Sequence, residues 1–421
     1  MFHKGKLLVF WGSALIVLYG ITAAFYGKVG AKDDAYKQLQ VFMDALKKIK
    51  DDYVEAPDMN KVQEGAMRGL IDALDPYSSF LTNEQVAAIE KRKASGNAGV
   101  GLVLSKRADV MYVVSQTRSG PAESAGMRAG DYVVAVDDKS TDDMSIMEAT
   151  SLLRGATGSK VKITVFRGSR PKPLDFELVR TVETAVPVTS RMLGGNAGLL
   201  DVSSLEKVEI DQVRLKLKTL ISAGAQKIIL DLRDCADGTA ADGATLANLF
   251  LKSGIIYYSQ NRDGQKVQEV TASADKFITD LPMVVLINGS TAGPAEIAAG
   301  ALKDNKRAEV VGERSFGVGS AQKKIALKSG AILYLSVAKF YTPGGQMIEN
   351  DDSPRETGIK PSIQSPDEDK LQAMMVESYY DDQNGNNVEK YRQLRDKINQ
   401  MQLDKALEAL SKPQVPAKRA A

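Results

Sequence analysis

The sequence predicts a multidomain protein of α/β and α+β class, with a membrane helix at its N-terminus. Three observations carry this. Leu7–Tyr26 is an uncharged run of twenty residues, residues 96–182 contain short alternating strands around one helical stretch, and from Val186 to Ile363 strand and helix patterns alternate. The last is the pattern of a mixed α/β core. A chain of 421 residues holds two or three domains plus extra segments. Hydrophobic content of 43% and charged content of 26% are ordinary for a globular protein.

In chain order, the first segment (1–30) is the anchor. Twenty helical residues span about 30 Å, enough to cross a bilayer. His3, Lys4 and Lys6 precede the run, which keeps the short N-terminus cytoplasmic and exports the rest. The expected location is the inner membrane, single-pass, with the body in the periplasm or another extracytoplasmic space. A cleaved signal peptide is the rival reading, with Val29 and Ala31 as small residues before the cut. The run is long for a signal peptide, which favours the anchor.

Residues 31–95 form a helical region. Over 35–56, Leu39, Phe42, Leu46, Ile49 and Tyr53 recur three and four apart, an apolar stripe for docking on the chain's own body or on a second subunit. A second helix runs from Asn60 to Leu74 and stops at Asp75-Pro76, followed by the turn-like DPYSSFLT segment, a joint to the next domain. In 96–182, Gly99-Val100-Gly101-Leu102 forms a glycine-containing loop, and SGPAESAGMRAGDYVVAVDDKST (119–141) supplies a turn and strand. Ile146–Gly155 reads as a helix, and VKITVFRG (161–168) alternates as an edge strand does. These four pieces in this order resemble a PDZ domain. The resemblance implies that backbone N–H groups of the loop face a peptide's terminal carboxylate. The groove is then floored by Leu102, Leu104 and Ile146, with Ala149 and Leu153 also facing in. A purely structural lid is the other role such a domain takes.

In 183–365, strands are expected at Gly198–Val202, Lys227–Leu232, Met283–Ile287, Ala308–Val311 and 318–327, with helices at Val208–Ala223 and Pro294–Leu302. Residues 366–421 are polar and charged, with helical runs at Asp367–Tyr380 and Val388–Leu410. The final SKPQVPAKRAA lacks the apolar content to fold. The sequence has no internal repeat and no nucleotide-binding loop, and the glycine pattern at Gly312–Gly319 fits no dinucleotide fold.

Composition excludes several chemistries. Lys+Arg 55 against Asp+Glu 53 leaves +2, so bulk charge points to no nucleic acid partner. The only histidine is His3, which leaves the folded body without a histidine triad or a histidine-ligated zinc site. Cys235 is the single cysteine, so no disulfide forms within the chain, and without histidine to activate it the thiol reads as a loop residue rather than a nucleophile. No metal or cofactor is expected.

The most informative stretch is NGSTAGPAEIAAGALKDNKRAEVVGERSFGVGSAQ, from Asn288 to Gln322. Asn288, Ala292, Glu296-Ile297, Gly300-Ala301-Leu302, Gly312 through Gly317 and Gln322 make it resemble the active-site segment of the C-terminal processing peptidases, or tail-specific proteases. FYTPGGQMI (340–348) and TGIKPSI (357–363) match that family's closing motifs, and the resemblance covers about 36–365. It implies a Ser–Lys dyad in which the serine stands three residues before Glu-Ile and the lysine four before the glutamine. Here those positions hold Gly293 and Val318, and only the helper Gln322 matches. A serine hydroxyl needs an adjacent base, and a lysine serves as base only when burial lowers its pKa. Glycine and valine supply neither.

A third element also departs. LDLRDCADG resembles the family's loop whose closing turn helps to form the oxyanion hole, and Asp237-Gly238 stands where two glycines are usual. Since every residue but proline keeps its amide N–H, Asp237 also reads as a neutral variant. Ser290, Thr291, Ser315, Ser320, Lys323 and Lys324 are the candidate substitutes. With a strand over 318–327, Lys323 faces away from Val318, and Lys324 lies roughly 20 Å along it. The reading is therefore a membrane-anchored pseudoprotease that binds protein C-terminal tails and acts as scaffold or regulator. An active relative or an adaptor, and further copies of itself, are the implied partners. The alternative is an active serine-type endopeptidase with displaced catalytic residues.

Overall fold

The computed structural model describes residues 37, 39–107, 110–168, 172–182, 187–205, 207–349, 358–364, 370, 373–375 and 388–412. The expected membrane helix, most of the expected helix at Asp367–Tyr380 and the tail after Lys412 lie outside these residues. Among the described residues, no helix is long and apolar enough to cross a membrane. The chain divides into two compact units, Met1–Met67 and Arg68–Ala421.

In the first unit the apolar stripe forms a helix over 39–52 (α1), with Leu39 and Ile49 exposed and Phe42 and Leu46 half-buried. The next helix, α2 (Met59–Asp72), runs across the boundary between the units. Asp75 then closes an Asx turn, its Oδ1 accepting from the N–H groups of Tyr77 and Ser78 at 2.8 and 2.7 Å. The expected joint carries regular structure of its own. Ser79–Leu81 is a strand (β1), and α3 (Asn83–Ser95) starts on a capping box between Thr82 and Gln85.

The next body is a sheet of six strands, β2 (Leu102–Arg107), β3 (Val110–Gln116), β4 (Tyr132–Val136), β5 (Lys139–Ser140), β6 (Lys160–Phe166) and β7 (Leu174–Val179). Its order is β2-β3-β4-β6-β7, with β5 beside β4. A short helix, α4 (Pro121–Ser124), and α5 (Ile146–Leu153) cover it. Strand β6 lies inside the sheet, not at its edge. Its alternation arises because one face is buried, with Val161, Ile163 and Val165 in the core. A buried bidentate pair, Arg167 Nε and Nη2 on Asp131 at 2.6 and 2.7 Å, fixes the loop before β4.

The α/β core holds two sheets. One has the order β14-β13-β10-β9-β8. Its strands are β8 (Thr189–Met192), β9 (Ala197–Asp201), β10 (Lys227–Asp231), β13 (Met283–Ile287) and β14 (Glu309–Gly312), all parallel except β8. Both faces are covered, so its strands read as continuous apolar runs. Leu200, Ile228, Leu230 and Val285 face α6 (Lys207–Ser222), α7 (Ala240–Asn248) and α8 (Pro294–Asp304). Leu199, Ile229, Val284 and Leu286 face α9 (Val388–Ser411), which lays Leu403, Ala406 and Leu410 against them. The C-terminal helix is thus part of the core.

The other sheet is antiparallel, β1-β16-β11-β12, with β15 also beside β16. It contains β11 (Ile255–Gln260), β12 (Lys266–Thr271), β15 (Ser320–Ala326) and β16 (Ile332–Tyr341). Helices α7 and α8 approach closely because a Cβ at Gly243 would stand 2.2 Å from the Pro294 carbonyl oxygen. That contact seats the N-terminus of α8, where the site is built.

Candidate active site

Three loops converge at the N-terminus of α8. The loop after β13 is held by Asn288, whose Oδ1 accepts from Asp234 N–H at 3.0 Å while its Nδ2 donates to Asp234 Oδ1 at 2.8 Å. Thr291 donates its hydroxyl to Leu232 O at 2.8 Å, and Ala292 N–H donates to Cys235 O at 2.9 Å. The Leu230–Gly238 segment is thereby clamped to the site loop.

Gly293 is the N-cap of α8 and adopts φ 54°, ψ −111°, a region that side-chain-bearing residues rarely enter. Open space surrounds it, since an added Cβ would meet nothing within 4 Å. Its N–H donates to Glu296 Oε2 at 2.8 Å. Val318 N–H donates to the same oxygen at 2.8 Å. The two backbone nitrogens are therefore no more than twice 2.8 Å apart. The fold brings both expected reacting positions together and places glycine and valine there.

Glu296 is the centre of this arrangement, although in the sequence it stands out only as a frame residue. It is fully buried, and Oε1 also accepts from Ser315 Oγ at 2.5 Å and Gly317 N–H at 2.7 Å. Burial pushes its pKa up to about 7, against four hydrogen bonds that favour the carboxylate. The signal for it is local: glutamate at the third helical position after a glycine cap is half of a capping box.

Three of the candidate hydroxyls already donate to fixed acceptors. Ser290 Oγ donates to Val114 O at 2.7 Å, Thr291 to Leu232 O, and Ser315 to Glu296. Strand β15 begins at Ser320, so Val318 lies before it and the expected strand over 318–327 is shorter. A register shift between Ala321 and Gln322 further breaks the alternation, and Lys323 and Lys324 are exposed. Gln322 is exposed on β15, with its amide on Tyr77 O.

Asp237 Oδ1 accepts from Leu205 N–H at 3.1 Å, and Gly238 takes φ 101° beneath the Leu205 carbonyl. Cys235 is buried, and burial pushes its thiol well above the usual range, which suppresses the thiolate. Among the described residues no group of three or more His, Cys, Asp or Glu is placed to hold a metal ion.

The β2–β7 body sits directly on this site. Besides Ser290 to Val114 O, the rings of Tyr112 and Phe316 lie 5.7 Å apart, and Arg118 Nη1 binds Asp201 Oδ1 at 2.7 Å. Of the expected groove residues, Leu102 and Ile146 keep exposed surface. Val100, Leu104, Ala149 and Leu153 are packed in the domain's own core, because α5 closes on β2. Ile146 instead borders a cavity of about 400 Å³ that also contains Tyr77 and Gln322. Gly99 spends its N–H on Thr181 O at 2.9 Å. The N–H groups of Val100 and Gly101 have no internal acceptor among the described residues. Gly101 borders a second cavity, of about 660 Å³.

The sequence profile of Peptidase family S41 matches residues 196–365, and that of the PDZ domain matches 112–167. The carboxy-terminal-processing protease of Bartonella bacilliformis is 32% identical over 335 residues, covering 79% of this chain and 76% of that protein. The carboxy-terminal processing protease CtpA of Bacillus subtilis is 31% identical over 340 residues, covering 80% and 71%. Among solved structures, a photosystem II D1 C-terminal processing protease superposes with a TM-score of 0.64 at 25% identity, covering 82% of this chain and 97% of that one.

Proposed function

The chain belongs to the carboxy-terminal processing proteases of peptidase family S41, with a PDZ domain, and we propose that it works as a tail-binding pseudoprotease. The observation that carries this reading is the pairing of Gly293 with Val318 on one oxygen of Glu296. In this reading Gly293 and Val318 hold the two positions of a catalytic centre, and neither side chain has a reactive atom. The competing reading, hydrolysis by displaced residues, finds little support in the Ser290 and Thr291 hydroxyls, which already donate to the Val114 and Leu232 carbonyl oxygens.

In this reading the PDZ domain takes a free protein C-terminus, with the Val100 and Gly101 N–H groups as donors to its carboxylate and Leu102 and Ile146 against an apolar last side chain. The protein then acts as a scaffold, or regulates an active relative with which it pairs. A charge-assisted hydrogen bond is worth roughly 1.5–3 kcal/mol. Amidating the terminus of a bound peptide should therefore weaken it by on the order of 10- to 100-fold in calorimetry. Equal affinity for amide and free acid would make the domain a structural lid.

The proposed setting is the membrane, through Leu7–Tyr26, with the body outside the cytoplasm. N-terminal sequencing of the mature protein should recover the anchor intact. A start close to Asp33 would mean cleavage and a released form.

A further inference from the structure

A cavity of about 540 Å³ lies between β3, the loops at Asn288–Ser290 and Glu313–Phe316, and the N-terminal half of α9. Among the described residues, Gln116 Nε2 and Arg395 Nε, on side chains that line it, are buried polar atoms with no hydrogen-bond partner. Both atoms are donors, and a guanidinium can only donate. Both side chains line the cavity and carry donors, so what fits it is an acceptor. Arg128 and Arg314 line the same space and add positive charge. The Arg395 side chain is 35% exposed, and its guanidinium lies 3.8 Å from Glu123. The acidic lining residues are turned to protein partners: Asp234 to Asn288 Nδ2 at 2.8 Å, and Glu313 to Gln402 Nε2 at 3.4 Å. The space is far larger than a simple anion needs, and Val113, Met127 and Ile398 give it apolar walls. An extended peptide carrying a carboxylate matches both properties.

Its position identifies which carboxylate. Gln116 borders this cavity, and the next residue, Thr117, borders the 660 Å³ cavity that contains Gly101. Consecutive Cα atoms are about 3.8 Å apart. A tail whose terminal carboxylate is held at Gly101 can therefore place an upstream side chain across the end of β3. We propose that the cavity is an acidic subsite, which takes an aspartate or glutamate side chain of the same tail and so selects among tails. This rests on the tail-binding reading above.

The test is calorimetry on the full chain in detergent micelles. The probes are ten-residue peptides with a free, apolar C-terminal residue and a single Glu moved along an otherwise neutral sequence, each compared with its Gln counterpart. One position should show about 10-fold tighter binding of Glu than of Gln, a step of about 1.4 kcal/mol. Arg395→Met keeps the apolar stem and should erase that preference by weakening the Glu peptide far more than the Gln peptide. Arg395→Lys should retain part of it. Equal binding of Glu and Gln peptides at every position, with amidation still weakening them, overturns the subsite and leaves tail binding standing. No binding by any peptide overturns both.

Discussion

Replacing Glu296 by alanine should destabilise the folded chain by about 4 kcal/mol or more. Four donors, the N–H groups of Gly293, Gly317 and Val318 and the Ser315 hydroxyl, converge on this carboxylate. Each donor left unmatched in a buried site costs about 1–3 kcal/mol. The loss is comparable to the whole stability of an ordinary domain, so Glu296→Gln, which keeps the volume, is the informative companion. Its pH dependence has a definite sign. The folded carboxyl titrates at about 7, above its ordinary 4.5, so the folded state holds the proton more tightly. The residue's contribution is fully present below pH 4.5 and is lost as pH rises to about 7. At about 1.4 kcal/mol per pH unit, the loss across that window is about 3 kcal/mol. The neutral amide has no such titration. The denaturant midpoint of the unsubstituted protein should therefore fall relative to that of Glu296→Gln between about pH 5 and about pH 8. A rise of the unsubstituted protein relative to Glu296→Gln over that range would mean that the four donors, not burial, set the titration.

Much of this architecture is legible in the residues because local chemistry and tertiary role agree. Gly293-Pro294 marks a helix start, and the apolar runs at Lys227–Asp231 and Met283–Ile287 are strands covered on both faces. The illegible parts depend on long-range pairing. Strand β1 has three residues, too few for any period, and is a strand only because β16 stands beside it, with Ser78 Oγ accepting from Ser336 N–H across 258 residues of chain. The alternation of β6 reports a buried face and not a place in the sheet. The groove residues mislead for a related reason. Ala149 and Leu153 are apolar at helical spacing, which is equally the pattern of residues packed into their own domain. Glu296, the most connected side chain of the site, reads as one acid on an apolar helix, and only its burial shows what it holds together.

The unsubstituted chain should leave an unfolded protein substrate uncut, and this is the largest effect expected of it. Removing the nucleophile of a hydrolytic centre costs about 10⁶ in turnover, and here the base is missing too. Gly293→Ser alone should remain silent. The new hydroxyl would enter open space, but no amine stands at 318 to take its proton. Gly293→Ser with Val318→Lys supplies both atoms on backbone positions that Glu296 already holds together. That double variant should show slow cleavage, well below that of an intact enzyme, for two physical reasons. Serine at φ 54°, ψ −111° is strained by about 1–3 kcal/mol. The oxyanion turn also carries Asp237, whose carboxylate would stand near developing negative charge while its Oδ1 accepts from Leu205 N–H. Asp237→Gly added to the double variant should therefore raise the rate further. Cleavage by the unsubstituted chain that persists in Gly293→Ala and is abolished by Ser290→Ala would place the chemistry at Ser290 and end the pseudoprotease reading. Silence of the triple variant in a folded protein would instead mean that the scaffold around Gly293 and Val318 has drifted out of reacting geometry, so that binding is all the site can still do.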